Sequence, residues 1–380
     1  MDPDAARRPS PAAARDTPAS RRDGLPAARA LPRRVPPRAL LALLAALLVL
    51  VALLACCVGS FPVAPGDVPG VVLAGIGLKP AQGVPQDAYA VLWSIRLPRI
   101  ALALVVGAGL GAAGAAMQAI FRNPLADPSL IGVSGGAALA AAAVLTAGTR
   151  LAAPMLQAFG VSALPLAAFA GGLVVSVAVY RLATRAGYTS IATLLLAGVA
   201  MNALAEAGIG VFTYVASDTA LRGLAFWQLG SVAGATWPQL GVAAPAIGLA
   251  AIYLLMQARS YDALALGEAE AQHLGVDVER LKLLTLAACA LATGAAVALS
   301  GMVFFVGLVA PHLVRLACGP GHRGVLPGAA LCGAIVLVAA DTLARTVVAP
   351  AELPLGVFTA LVGAPFFIAL LLRNREAWHL

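Results

Sequence analysis

Residues 39–58 read ALLALLAALLVLVALLACCV, an apolar run of 20 residues without a charge. A helix of about 20 apolar residues is long enough to cross the hydrocarbon core of a bilayer. A basic segment precedes the run, as in a secretory signal peptide, but the apolar part of a signal peptide has only about 7–15 residues. The run is therefore predicted to be an uncleaved first membrane span.

The whole chain has the composition of an integral membrane protein. Of its 380 residues, 61% are hydrophobic and 11% are charged, whereas soluble domains carry about 25% charged residues. The polar side chains are too few to cover a soluble surface, so the outer surface must face lipid. An all-α protein of about ten spans is predicted, the others lying near residues 95–118, 130–148, 163–183, 191–214, 236–257, 282–302, 303–318, 326–345 and 355–373. The apolar run at residues 282–318 is too long for one span. Gly301 is predicted to divide it into two helices.

The charged residues predict the domain organisation and the orientation. Residues 1–37 are predicted to be a disordered basic cytoplasmic tail, residues 38–373 the transmembrane domain, and residues 374–380 a cytoplasmic C-terminal tail. With the N-terminus inside, nine Lys and Arg residues lie in the tail through Arg38 and ten at other inner positions, against six outside. This positive-inside bias places both termini in the cytoplasm and implies an even number of spans. The six outer residues are Lys79, Arg96, Arg99, Arg150, Arg222 and Arg345.

A glycine motif lies inside the predicted second span. Residues 109–114, GLGAAG, match the G-x-G-x-x-G pattern of dinucleotide-binding folds. That function requires a strand before the motif and an acidic residue about 20 positions after it. Because the motif lies within a span, we interpret it, with Gly107-x-x-x-Gly111 and Gly132-x-x-x-Gly136, as a site of close helix packing.

A spacing repeat links the two halves of the chain. Three residues recur at an offset of 187 positions: Gly107, Gly114 and Pro124 match Gly294, Gly301 and Pro311. This offset pairs the second span with the seventh, an odd number of spans apart, and so predicts an inverted internal repeat. In a chain this rich in Gly and Ala, chance matching is the alternative.

The chain lacks the P-loop motif by which ATPases bind nucleotides. A P-loop requires Gly-Lys followed by Ser or Thr, but the two lysines, Lys79 and Lys282, each follow a leucine. If ATP drives this protein, a separate subunit must bind it. No His/Asp/Glu cluster or Ser/His pair assembles within one recognisable motif, so a membrane-embedded enzyme has little support, and no catalytic residue and no metal site are predicted.

The longest polar interruption is Ser260–Lys282, SYDALALGEAEAQHLGVDVERLK. It holds five of the 17 acidic residues of the chain. Asp262 is expected to cap a short helix, and Gly275 to end a second one that includes Leu266, Glu270 and Leu274. The segment is either a solvated cytoplasmic loop or a docking element for a cytoplasmic partner.

Several motifs together resemble the permease family of type II ABC importers for ferric siderophores, haem and cobalamin. The matching segments are ALGEAEAQHLGVD (265–277), IRLPR (95–99), RNPLADP (122–128), LLAGVA (195–200), GLVAPH (307–312), ELPLG (352–356) and GAP (363–365). The resemblance covers residues 38–373. Within the family, FWQLGS (226–231) and GATW (234–237) look most like the haem permeases.

The resemblance implies a machine with several parts in the bacterial inner membrane. Family members are homodimers of ten-helix subunits, with the translocation path at the subunit interface. Two cytoplasmic ATPase subunits supply ATP hydrolysis, and a periplasmic substrate-binding protein delivers the cargo. Residues 260–282 would be the cytoplasmic coupling loop, with the ATPase contacting Ala265, Leu266, Gly267, Glu268, Glu270, Ala271, Leu274 and Gly275.

Two further sets of residues follow from the resemblance. Arg96, Arg99 and Arg345 match positions that pair with acidic residues of the binding protein, although they could instead be interfacial anchors, and Arg345 could pair with Asp341 one turn earlier. The cytoplasmic gate would lie at Ser134, Gly135, Thr189 and Ser190. Cobalamin-type members carry Asn in place of Gly135, so a wider or differently sealed gate is expected.

Haem is the leading hypothesis for the cargo, with no permanently bound cofactor. Haem sites use an axial His, Cys, Met or Tyr, but all four histidines are predicted on the cytoplasmic half or beyond. We therefore expect a path that shields the cargo without coordinating its iron. Glu206 lies within the fifth span, where it either lines the path or makes a buried hydrogen bond. The alternatives are the same machine carrying a ferric siderophore or cobalamin and, more distantly, a secondary transporter driven by an ion gradient.

Overall fold

The computed structural model describes residues 35–78, 85–146 and 159–374. The predicted disorder of most of the N-terminal tail, the positions of Lys79 and Arg150, and nearly all of the C-terminal tail lie outside these ranges. The described chain is almost entirely helical. Its α-helices are α1 (Pro37–Cys57), α2 (Asp67–Gly75), α3 (Gln86–Val91), α4 (Leu97–Ile120), α5 (Val133–Thr146), α6 (Ala163–Ala183), α7 (Ile191–Val215), α8 (Asp218–Leu229), α9 (Trp237–Met256), α10 (Ala258–Leu264), α11 (Glu268–His273), α12 (Val278–Ser300), α13 (Val306–Cys318), α14 (His322–Ala344) and α15 (Leu355–Asn374).

Shorter elements connect these helices. A π-helical turn at Leu92–Arg96 joins α3 and α4 into one continuous helix, and a 3₁₀ turn at Pro128–Ile131 precedes α5. A second 3₁₀ turn, Gly160–Ser162, leads into α6. Strands β1 (Thr184–Arg185) and β2 (Tyr188–Thr189) form a small antiparallel hairpin before α7.

The prediction of about ten membrane spans is confirmed within the described residues. Seven helices are long and apolar enough to cross a bilayer, counting α3 and α4 together, and three shorter apolar helices, α5, α13 and α15, complete the set. The predicted break at Gly301 is also present. Helix α12 ends at Ser300, and Gly301 takes a φ of 65°, which glycine adopts without the steric cost of a Cβ atom.

The two halves repeat at the level of elements but not of residues. In each half a long helix, α4 or α12, is followed by irregular backbone and then by a short helix, α5 or α13. This order supports the pairing of the second span with the seventh. The residue register is wrong, because Gly114 lies inside α4 while Gly301 lies beyond the end of α12. Pro124 likewise lies in a turn, whereas Pro311 lies inside a helix.

The glycine motif forms a packing surface, as predicted. A Cβ atom on Gly107 would collide with the backbone of Gly333, and one on Gly111 would collide with the backbone of Ala329. Helix α4 therefore approaches α14 at backbone distance, which small residues permit. The second predicted pair also packs closely. Gly136 packs against the backbone of Gly171, and a Cβ atom on Gly132, which ends the 3₁₀ turn with a φ of 78°, would collide with Val175 of α6.

Hydrogen bonds join the helix ends at each of the two ends of the bundle. At one end the backbone N–H of Val35 donates to Ala317, and Gln118 bonds Arg315. At the other end Arg96 donates to the carbonyl groups of Cys56 and Phe61. Arg315, assigned to the cytoplasm from its charge, thus lies at the end where α1 begins. Arg96 and Arg345, assigned to the outer side, lie at the end where α1 finishes.

Candidate functional site

The predicted coupling loop forms two short helices, α10 and α11, between the long helices α9 and α12. Helix α11 is anchored by the fully buried Ala271. Leu266 and Leu274 flank this helix and remain 68% and 64% exposed. Two leucines exposed at a helical corner cost free energy in water, so this corner has the character of a docking surface. Its acidic members, Glu268 and Glu270, lie in the first turn of α11, where they complement the helix dipole.

The C-terminal end of α11 is as predicted, but its N-terminal end is not. Gly275 follows its last turn with a φ of 83°, a conformation that glycine favours at helix C-termini. Leu266 was expected inside the helix, but it precedes it. Gly267 separates the two with a φ of 140°, so the chain turns sharply there.

Asp262 does not cap its own helix, and that expectation is wrong. It lies inside α10, and its Oδ1 atom accepts a hydrogen bond of 2.9 Å from the backbone N–H of His322 and approaches His322 Nδ1 at 2.8 Å. Asp262 therefore caps the N-terminus of α14, 60 residues away. The neighbouring Tyr261 is fully buried, its hydroxyl 2.8 Å from Thr285 Oγ1, and burial raises the pKa of its phenol well above the ordinary value. Both contacts tie the coupling loop rigidly to the bundle.

A cavity of about 400 Å³ lies among the irregular segments that precede the short helices α5 and α13. The 3₁₀ turn before α5 forms one wall, and residues 302–305 before α13 form another. Helices α7 and α12 complete the lining. Non-helical backbone at membrane depth is tolerated where it lines a cavity. The polar lining residues are Asp127, Ser129, Ser134, Asn202, Glu206 and Thr293.

Two of the four predicted gate residues reach this cavity. Ser134 and Gly135 line it, whereas Thr189 and Ser190 do not. Thr189 is buried in the hairpin, and the Ser190 hydroxyl caps α7 by accepting from the N–H of Thr193. The gate as a set of four residues stays a prediction.

The space beside Gly135 is occupied by a side chain from α7. A Cβ atom there would collide with Oδ1 of Asn202, so this amide occupies the space beside the glycine. Its Nδ2 atom donates to the carbonyl of Ser129 at 3.2 Å. The asparagine side chain is thus supplied from α7 instead of from α5. The space beside the glycine is therefore filled, while the wider or differently sealed gate stays a prediction.

Sequence reasoning missed most of the polar lining. Asn202 and Thr293 are isolated polar residues in apolar spans, and this was the available signal for them. Asp127 was noticed only as part of a motif. Within the described chain Asn202 Oδ1 and Thr293 Oγ1 are buried without hydrogen-bond partners. Buried polar atoms of this kind are normally satisfied by water or by a ligand, so the cavity is suited to polar occupants.

Glu206 and one potential iron ligand, Met302, lie in the wall of the cavity. Glu206 lines the cavity, and the alternative of a buried hydrogen bond is not seen among the described residues. The cavity lining contains no histidine, but it includes Met302. Its wall is otherwise largely apolar, with Phe304 and Phe305 contributing aromatic rings.

The three arginines predicted to dock the binding protein are buried and bonded within the chain. Arg99 donates to Asp341 at 2.7 Å and to Glu352 at 2.9 Å. Arg345 donates to the carbonyl of Ala55, and its Nε atom lies 3.9 Å from Asp341, one turn earlier on α14. Arg96, as described above, bonds the end of α1. In this conformation the three guanidinium groups hold helix ends together. Their docking role and the interfacial-anchor alternative both stay predictions.

Comparison with known proteins gives one family over most of the chain. Residues 47–373 match the FecCD transport family. The chain is 48% identical over 292 residues to the hemin transport system permease protein of Yersinia pestis, covering 77% of this chain and 86% of that protein. It is 45% identical over 318 residues to the cobalamin import system permease protein of Halobacterium salinarum, covering 83% of each. A solved metal-chelate type ABC transporter in an inward-facing conformation matches with a TM-score of 0.75 at 29% identity, over 88% of this chain and 99% of that one.

Proposed function

The chain belongs to the FecCD transport family as a multi-pass permease of ABC importers, and from this premise we propose that it is the haem-conducting subunit of an ATP-driven importer. The match along residues 47–373, together with the ten apolar helices, is the observation that carries the proposal. In this proposal two copies form a homodimer with the path between them. Separate ATPase subunits drive transport from the cytoplasm, and a periplasmic binding protein delivers the cargo at the outer face of the inner membrane.

The proposed cargo rests on the aromatic segment around α8. Phe226 is 62% exposed in the single chain, and the Trp237 ring lies against that of Trp93 with centroids 4.9 Å apart and an angle of 36° between the ring planes. Exposed aromatic rings suit a flat aromatic cargo such as haem, because ring stacking adds about 0.5–1.5 kcal/mol to burial. Cobalamin is the alternative, since relatives named for cobalamin import share 45% and 42% identity with this chain. A ferric siderophore fits the same machine.

The cavity supports passage of the cargo without iron ligation. An importer must release its cargo, and a strong axial bond to iron would hold it. Met302 is the potential ligand in the lining, so we propose that its thioether serves as an apolar wall. Glu206 and Asp127 give the same cavity two carboxylates, which disfavour a tight site for the acidic side groups of haem.

The ATPase is proposed to dock on the corner formed by Leu266, α11 and Leu274. The remaining residues predicted there, Ala265, Gly267, Ala271 and Gly275, shape the backbone of this corner. The proposed partner offers an apolar groove that covers the two leucines and a basic or hydrogen-bonding rim for Glu270. Such helix-in-groove docking is a recurrent mode of recognition.

The binding protein is proposed to dock at the opposite end of the bundle. Glu352 is the most accessible member of the ion pair network there, with 43% of its side chain exposed. Direct pairing of Arg96, Arg99 or Arg345 with the binding protein would require exchange of their internal partners. We propose that they chiefly hold the ends of α1, α4 and α14 in the geometry to which the binding protein fits.

Coupled uptake in proteoliposomes tests the function. The chain is reconstituted with its cognate ATPase and binding protein, and haem, a ferric siderophore and cobalamin are offered in parallel. Haem is expected to stimulate both ATP hydrolysis and cargo accumulation. Stimulation by another cargo alone would refute haem while preserving the importer, and uptake without the ATPase would refute the importer itself.

A Met302→Leu variant tests iron ligation in the same assay. Since the substitution conserves volume and removes the sulfur, haem uptake should stay within about twofold of the unmodified protein. Loss of uptake in a variant that unfolds at the same temperature would instead show that the thioether binds iron.

A further inference from the structure

Lys282 is completely buried at the base of α12, with an exposed fraction of 0%. Removing an ammonium group from water is costly unless its hydrogen bonds are replaced. The hydrogen-bond acceptors around the Lys282 ammonium therefore indicate what its charge does at this position. Lysine has three N–H donors, and three acceptors surround this one.

The first acceptor belongs to the coupling helix. Lys282 Nζ lies 2.9 Å from Oε2 of Glu268, the first residue of α11. Among the described residues this is the one ion pair that α11 makes. The second acceptor is Oε1 of Glu279, at 3.0 Å on the same helix as Lys282.

The third acceptor is the backbone of the hairpin that leads into α7. Lys282 Nζ lies 3.3 Å from the carbonyl oxygen of Thr189. The N–H group of the same residue donates to Glu279 Oε2 at 2.9 Å. Both backbone groups of Thr189 are thus held by the Lys282–Glu279 pair, and the Tyr188 ring covers the ammonium at 4.9 Å.

Thr189 directly precedes the cap of the cavity-lining helix. Ser190 begins α7, and Asn202 and Glu206 on that helix reach the cavity. A continuous polar connection therefore runs from the docking corner, through Glu268 and Lys282, to the start of α7.

Accepting the proposed function, we infer that Lys282 is a positioning residue that transmits movement of the ATPase-docking helix α11 to the cavity-lining helix α7. Stability alone does not account for the buried charge, because apolar replacement of a buried ion pair is often neutral or stabilising. An ion pair with fixed partners instead keeps two separate surfaces in one relative position. Displacement of Glu268 then displaces the hairpin through the ammonium.

The test is the number of cargo molecules taken up per ATP hydrolysed, measured in proteoliposomes that contain the complete importer. Lys282→Met keeps the volume and removes the charge. The ATPase should still assemble and hydrolyse ATP, while uptake per ATP falls by about fivefold or more, the lower end of typical coupling between sites. A merely structural role would lower expression or unfolding temperature without changing this ratio.

Glu268→Gln provides a second variant at a partly exposed position, in case Lys282→Met fails to fold. It should lower the same ratio, and the double variant should be no worse than the more affected single variant, because both break one connection. Arg259→Met and Arg323→Met are matched controls, since both arginines are exposed, lie outside the coupling loop and lose one positive charge as Lys282 does. Their ratios should equal that of the unmodified importer.

Three results would overturn the inference: an unchanged ratio in a folded Lys282→Met protein, loss of ATPase assembly in that variant, or equal losses in the controls. Failure of the proposed function is distinguishable from all three. In that case the unmodified complex would itself show no ATP-dependent uptake.

Discussion

At the scale of single residues, the charges inside this bundle are held by partners far away in sequence. Arg99 and Asp341 are 242 positions apart, and both side chains are nearly inaccessible, at 6% and 2%. Glu352 adds a second carboxylate to the same guanidinium. The group fastens the start of α4 to the end of α14.

Replacing Arg99 should therefore destabilise the protein before it affects docking. Arg99→Met leaves Asp341 with Arg345 at 3.9 Å as its remaining basic neighbour, and breaking a buried pair from one side costs about 3–5 kcal/mol. Denaturant unfolding in detergent measures this loss. Arg222→Met, at an exposed arginine, is the control and should change stability by less than about 0.5 kcal/mol.

The same variant also distinguishes the two roles of the arginine. If Arg99→Met unfolds like the unmodified protein but binds the binding protein more weakly, its guanidinium contacts that partner directly. The anchoring role would then be wrong.

At the scale of elements, α4 and α14 pack with backbone against backbone. The glycines at 107 and 111 leave no room for a side chain, because a Cβ atom on either would collide with main-chain atoms of α14. Main-chain atoms cannot turn away as a side chain can, so the helices would have to separate.

Gly111→Ala is thus expected to destabilise the bundle by about 1–3 kcal/mol through overpacking. Thermal unfolding in detergent is the measurement. Gly248→Ala in α9 is the control, since nothing lies within 4 Å of its added Cβ atom, and Ala favours a helix interior over Gly by about 1 kcal/mol. Equal behaviour of the two variants would contradict the close approach of α4 and α14.

The docking corner makes a second prediction about elements. Leu266→Asp with Leu274→Asp places charges where an apolar groove is proposed, and should weaken ATPase binding at least about tenfold, since burying an unpaired charge costs several kcal/mol. Co-purification and titration with the ATPase measure the affinity. Val347→Asp, at an exposed position on the opposite end of the bundle, should bind the ATPase normally. If only Val347→Asp weakens binding, the ATPase docks at the other end.

At the scale of the whole molecule, the bundle has two faces, one where α1 begins and one where it ends. The orientation of the chain in the membrane decides which face meets the cytoplasm. The positive-inside rule assigns the face with the coupling helix to the cytoplasm. Helix α7 starts at that face, because its hairpin bonds Lys282, and it therefore delivers α8 to the other face.

Cysteine labelling in intact cells tests this orientation. In a background without the five native cysteines, Glu270→Cys should react with a membrane-impermeant maleimide only after the inner membrane is opened. Asp218→Cys, at the start of α8, should react beforehand. The opposite pattern would reverse the orientation and place both termini outside.

The membrane spans could be predicted from the sequence more completely than the functional site. The ten spans and the break at Gly301 were predicted, because hydropathy and glycine act locally along the chain. The polar lining of the cavity was largely missed, since Asn202 and Thr293 are single polar residues in apolar helices. The cap formed by Asp262 was assigned to the wrong helix, because its partner lies 60 residues away.

The sequence by itself determined that this protein lies in a membrane, how many helices cross it, in what order, and which family it resembles. The bilayer imposes these features on each segment separately, through its length and hydropathy. Only the tertiary structure decided that Arg96, Arg99 and Arg345 are buried. It also decided that Asn202 fills the space beside Gly135 and that Lys282 joins α11 to the hairpin before α7. Each of these depends on which helices become neighbours, and that choice is made by close packing between residues far apart in the chain.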